Sequence, residues 1–265
     1  MKRIYCLLLI LFGGLSFTYS QTVNSDQTGS STGSNAEETT LTSSPEWDAL
    51  CFVLGTLSDY MGRFQYVERQ NQVDRYYDHE KPMVEYLAGY LTKELGVTAD
   101  SVTEDRGRFS IYSAEIAKSL NRFYGSQDEL MDSLLKTEQQ AYSFLAGVYY
   151  RYGEKLDTGI YKFQMANSPK HHSCYELLKS VGCPKIFFKY LRHIPAQFIL
   201  YFEPTPELEA YITAIEPQRR IILESRINHI KEHLKAAMSG EELDQGLAKE
   251  KEKERAGIKS AFQVP

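Results

Sequence analysis

Apolar residues recurring at threes and fours, cut into lengths by glycine and proline, are what most constrain this chain. From Pro45 onward the pattern fits the 3.6-residue period of helices that bury one face. Ser44-Pro45-Glu46 reads as a helix start, with Trp47, Leu50, Cys51, Leu54, Leu57, Met61 and Phe64 on one face. A second helix runs from Val73 or Pro82 to Leu95 and stops at Gly96. A third carries Phe109, Tyr112, Ile116, Leu120 and Phe123 and stops at Gly125. Ser126-x-x-Glu129 has the form of a capping box, followed by Leu130, Leu134, Ala141, Leu145, Val148 and Tyr152 before Gly153. Ser168-Pro169 and Thr205-Pro206-Glu207 open two more helices, and Pro217 is placed to break or kink the second of these.

Two stretches resist this reading. Ile160 to Met165 has room for a short strand. Residues 184–204 are cut by Pro184, Pro195 and Pro204, and the run Phe198 to Phe202 suits a strand or a buried helix equally. The expected fold is therefore all-α: a single multi-helix domain, residues 46–240, of about seven unequal helices, with at most one short strand or hairpin. No internal repeat stands out at a fixed period.

The flanks read differently. Residues 1–20 have Lys2 and Arg3, then an apolar run from Cys6 to Phe12, then a polar end, the layout of a secretory signal peptide. Residues 21–45 are rich in Ser and Thr and nearly free of apolar side chains, as in a disordered spacer. Gly29-Ser30-Ser31-Thr32-Gly33 matches G-x-S-x-G but lacks the strand and helix that motif needs. Residues 241–265 alternate in charge and read as a flexible tail. No run reaches the roughly 20 apolar residues of a membrane span. The chain is expected to be secreted or extracytoplasmic, and soluble.

With 35 acidic against 30 basic residues the net charge is −5, which argues against a general nucleic-acid partner. Past the leader, Cys51, Cys174 and Cys183 remain. On one continuing helix Cys174 and Cys183 would lie roughly 13 Å apart at about 1.5 Å per residue. A disulfide needs Cα atoms within about 7 Å, so Cys51 with Cys183 or Cys174 is the better pairing, beside the alternative of three buried thiols.

Chemistry-bearing patterns are few. His229-Ile230-Lys231-Glu232-His233 reads H-x-x-E-H on a helix, which puts two imidazoles on one face. These five residues resemble the motif of the inverzincin metallopeptidases. The resemblance implies zinc held by His229 and His233, with Glu232 as general base. His171, Cys174 and Cys183 match no standard structural-zinc spacing, and no phosphate-binding loop, dinucleotide turn or EF-hand loop is present. Tyr149-Tyr150-Arg151-Tyr152 would fan around a helix and leave a Tyr and Arg151 for a partner. The sequence thus points to a secreted, non-enzymatic helical protein without cofactor that binds a protein or surface partner. A zinc-dependent hydrolase is the alternative.

Overall fold

The structure, a computed structural model, describes residues 45–104 and 107–263. The leader and most of the spacer read from the sequence lie outside them. The described chain is mixed α and β, which overturns the all-α expectation. Helices α1 (Ala49–Thr56), α2 (Lys81–Leu95), α3 (Ala114–Asn121), α4 (Glu138–Tyr152), α5 (Lys170–Ser180), α6 (Pro206–Leu234) and α7 (Gly240–Phe262) are joined by seven strands. These are β1 (Gln72–Tyr76), β2 (Asp100–Thr103), β3 (Phe109–Tyr112), β4 (Gly153–Asp157), β5 (Ile160–Ala166), β6 (Ile186–Leu191) and β7 (Gln197–Phe202).

The strands form two antiparallel sheets, ordered β1-β3-β2 and β4-β5-β7-β6. The order β5-β7-β6 in the second sheet repeats β1-β3-β2 in the first. Each half also begins with a helix, α1 or α4, that packs against the other. The molecule is thus built of two related halves, the first lacking a counterpart of β4. A repeat of this kind has no fixed sequence period, because the loops in the halves differ.

Several starts and stops follow from local chemistry. Asp48 caps α1 by accepting from Cys51 N. Thr137 and Gln140 form the capping box that opens α4, rather than Ser126 and Glu129. Leu130 and Leu134, expected on that helix, precede it: Leu130 bridges Tyr124 and Leu134 lies in a 3-10 turn. Gly96 ends α2 in the left-handed region at φ 66°. Thr205 caps α6, which runs through Pro217 without ending. Phe109 and Tyr112 belong to β3 rather than to a helix, although their spacing of three imitates one.

One core lies between the helices and the inner sheet faces. Phe52, Leu54, Leu87, Leu91, Ile111, Phe144, Leu145, Val148, Phe163, Leu200 and Phe202 meet there. Gly55 and Gly147 set the approach of α1 to α4. A Cβ on Gly55 would stand 2.9 Å from Gly147 Cα, and one on Gly147 would stand 3.0 Å from Gly55 Cα. Only glycine leaves the two backbones room to touch.

Candidate nucleic-acid interface

Both central helices end inside the protein, where their last carbonyls have no water. The chain supplies cations instead. Lys170 Nζ, fully buried, donates to the carbonyls of Leu54 (3.1 Å), Gly55 (3.3 Å) and Leu57 (2.5 Å) at the end of α1. It pairs with Asp59 Oδ2 at 3.1 Å, and Tyr124 donates to the same oxygen at 2.6 Å. Burial, opposed by Asp59, holds Lys170 below its ordinary pKa. Arg219 does the same for α4, donating to Tyr150 O (3.2 Å), Arg151 O (2.7 Å) and Gly153 O (2.7 Å). A positive group at a helix C-terminus also meets the negative end of the helix dipole.

Arg151 connects the halves. Its guanidinium takes Glu80 at 2.9 Å through Nε and through Nη2, Asp74 at 2.5 Å, and the carbonyls of Thr56 and Arg75 at 2.9 Å. Burial pushes Glu80 up, yet the charge and hydrogen bonds of Arg151 prevail and hold its carboxyl below the ordinary range. Tyr152 hydroxyl donates toward the carbonyls of Leu57 and Ser58 at 3.3 Å. Asp59 and Asp74 each give Oδ2 to side chains of this protein and Glu80 gives both oxygens to Arg151, while Asp59 Oδ1 and Asp74 Oδ1 are buried without a hydrogen-bond partner among the described residues.

The expected contact run is therefore misplaced. Tyr149, Tyr150 and Arg151 are buried and Tyr152 is half-buried. Tyr149 donates to Glu216, and the others line the interior described above. A helix with partners on every side has no solvent face. Cys51, Cys174 and Cys183 are free thiols in the core, so the Cys51–Cys183 pairing is not made. Burial raises each thiol pKa: Cys174 to about 12 and Cys183 to about 11.

The H-x-x-E-H helix is separated from this centre. Glu232 is exposed and bonds to Lys235 at 2.6 Å. His233 is exposed, its Nδ1 lying 2.9 Å from His229 O. His229 turns toward the first half, its Nδ1 3.1 Å from Asp78 Oδ1, beside His79. The base that the motif calls for, Glu232, is taken by Lys235, so the geometry lends the hydrolase reading no support.

The surface that the sequence missed is the outer face of the four-stranded sheet. Register places Glu154, Lys162, Tyr201 and Phe187 in one cross-strand row, with Gln164, Ile199 and Lys189 in a second. Helix α7 lies over it. Phe262 and Ile258 of α7 pack on Leu156, Ile160, Leu191, Ile199 and Tyr201. Glu254 reaches Lys162 at 2.8 Å and Tyr201 hydroxyl at 2.7 Å. Lys185 donates to Phe262 O. Burial lowers Lys189, against the opposing pull of Glu254. At the β4 edge α7 returns cations: Lys251 to Glu154, Lys259 to Asp157, and Arg255 to Leu156 O. The sequence signal was there in alternation: Lys162, Lys185 and Lys189 share their sheet face with Tyr201 and Phe187 once the strands are known.

No family model matches the chain, and no curated protein does. Among solved structures it is similar to I-DmoI in complex with DNA and Ca, with a TM-score of 0.43 and 14% identity, over 61% of this chain and 85% of that one. It is also similar to full-length DUF199/WhiA from Thermatoga maritima, with a TM-score of 0.42 and 14% identity, over 71% and 65% of the two chains. The N-terminal LAGLIDADG domain of DUF199/WhiA aligns at a TM-score of 0.38 and 15% identity, over 63% and 81%. The likeness is loose and assigns no residue a role. The expectation of an all-helical protein that meets a protein or surface partner through Tyr149–Tyr152 is nonetheless corrected. The domain is mixed α and β rather than all-helical, and its expected contact run is buried.

Proposed function

We propose that this protein binds nucleic acid through the outer face of its four-stranded sheet when α7 lifts from it, and that residues 1–20 serve as its export leader. One observation carries the binding reading. Lys162, Lys185 and Lys189 share a sheet face with Tyr201 and Phe187, and α7 meets that face with the Glu254 carboxylate and the Phe262 carbonyl. Lysines beside aromatic rings suit a phosphate backbone and stacked bases. Lys170, Tyr124 and Arg151 hold Asp59, Asp74 and Glu80 inside the protein, away from that face. Glu254 occupies the position that a phosphate would take.

The test is fluorescence anisotropy of the full chain with a labelled 20-mer, single-stranded and duplex. We expect weak binding at low salt, about tenfold tighter in Glu254→Gln, a difference of about 1.4 kcal/mol. Binding should be lost in Lys162→Gln/Lys185→Gln/Lys189→Gln. Three displaced phosphate counterions set a log–log salt slope of about −2 to −3. Absence of binding by Glu254→Gln at low salt overturns the reading, as does binding indifferent to the lysine changes in a variant that melts normally.

A further inference from the structure

Asp78, His79 and His229 bring three metal-ligating groups together, with one donor atom from each lying within 4.8 Å of the others. They come from distant parts of the chain. Asp78 and His79 follow β1 on the 3-10 turn Asp78–Glu80, and His229 sits on α6. The turn and the helix pack directly against each other. Asp78 Oδ1 stands between two imidazoles, 3.1 Å from His229 Nδ1 and 3.8 Å from His79 Nδ1. Tyr77 stacks on His79 at 5.6 Å between ring centroids, and the His229 ring lies 5.4 Å from that of His79. The rings are thus held near the carboxylate by packing.

We propose that Asp78, His79 and His229 form a binding site for a borderline divalent cation of the zinc class, which ties α6 to the first half of the molecule. Two imidazole nitrogens and a carboxylate oxygen are the donor set such ions favour. Bond lengths of about 2.0–2.2 Å require the donors to close to roughly 3.4 Å apart, about the present Asp78–His229 separation. His79 needs a modest rotation, which its half-buried position allows. Three protein ligands leave a fourth position for water. The role is that of a brace rather than a hydrolase, since Glu232 is turned away onto Lys235. His233 is not required: its Nδ1 is engaged with His229 O. The site shares no residue with the lysine face of the sheet.

The experiment is calorimetric titration of the chelator-stripped full chain with Zn2+, together with the visible spectrum of a Co2+ complex and melting curves with and without metal. One ion per chain with micromolar affinity is expected, raising Tm by about 5 °C at saturating metal. His79→Ala and His229→Ala should each weaken binding at least tenfold, and the isosteric Asp78→Asn should do the same. Metal-free melting curves and circular dichroism confirm that each variant folds. Loss in His79→Ala supports the site, whatever His233→Ala does. Binding retained in His79→Ala but lost in His233→Ala overturns it, because the ligands would then be a surface pair on one helix. No binding by the unaltered chain at 100-fold excess zinc also overturns it.

Discussion

A methyl group on Gly147 would collide with backbone, not with a side chain able to rotate away. It would meet the Phe52 carbonyl and stand 3.0 Å from Gly55 Cα, so α1 and α4 would have to separate. We expect Gly147→Ala to destabilise the chain by about 1–3 kcal/mol, the usual range for overpacking a tight core. Urea unfolding followed by circular dichroism reads this directly. A loss below about 0.5 kcal/mol would mean the helices do not cross at these glycines. At this scale the sequence was partly legible. Gly55 and Gly147 stand inside apolar helical runs, where glycine is costly unless packing needs it. Arg151 was not legible: its partners Asp74 and Glu80 lie more than 70 residues away in the chain. An arginine on a helix reads as solvated until those carboxylates are brought to it.

Among the elements, α7 depends most on charge. Leu243 and Phe262 are its only fully buried side chains, and Glu254, Lys251, Lys259 and Arg255 make most of its polar contacts with the sheet. The pairs Lys251–Glu154 and Lys259–Asp157 reach solvent through their lysines and are screened by salt, whereas apolar burial is not. Hydrogen exchange in 1 M NaCl should therefore quicken in residues 240–262 while α4 stays protected. Uniform protection at both salt concentrations would show that α7 is held by its apolar contacts instead. The strands beneath it were hard to read because both faces are covered. Phe198 to Phe202 is apolar throughout, with Leu200 and Phe202 on the core and Ile199 and Tyr201 under α7. A strand buried on both sides loses the alternation that identifies strands.

For the whole molecule, acid is the informative stress. Glu80 and Glu154 both have carboxyl pKa values depressed below 4.5: burial works against each, and Arg151 or the pair Lys162 and Lys251 outweighs it. A depressed carboxylate contributes stability that is complete above its unfolded value of 4.5 and disappears as pH falls through the lower folded value. Tm should fall gently below pH 6.5, because burial holds His171 below its ordinary pKa and the unfolded chain takes up that proton first, then drop steeply below pH 4.5, and Glu154→Gln should flatten part of the steep drop. A pH-independent Tm down to pH 3 would contradict the ion-pair account.

The sequence by itself determined where several helices begin or end, although residues 241–265, read as a flexible tail, supply most of α7. Thr205-Pro206, Ser168-Pro169, Gly96 and Gly153 act within a turn of the chain, through capping bonds and allowed backbone angles. It also determined that His229 is a group worth following, because its spacing from His233 is local. The two sheets, their repeated order, and the meeting of Asp78, His79 and His229 were decided only by tertiary structure. Strand pairing, buried charge and metal-type clusters depend on residues far apart in sequence, and no local pattern records which of them the folded backbone brings together.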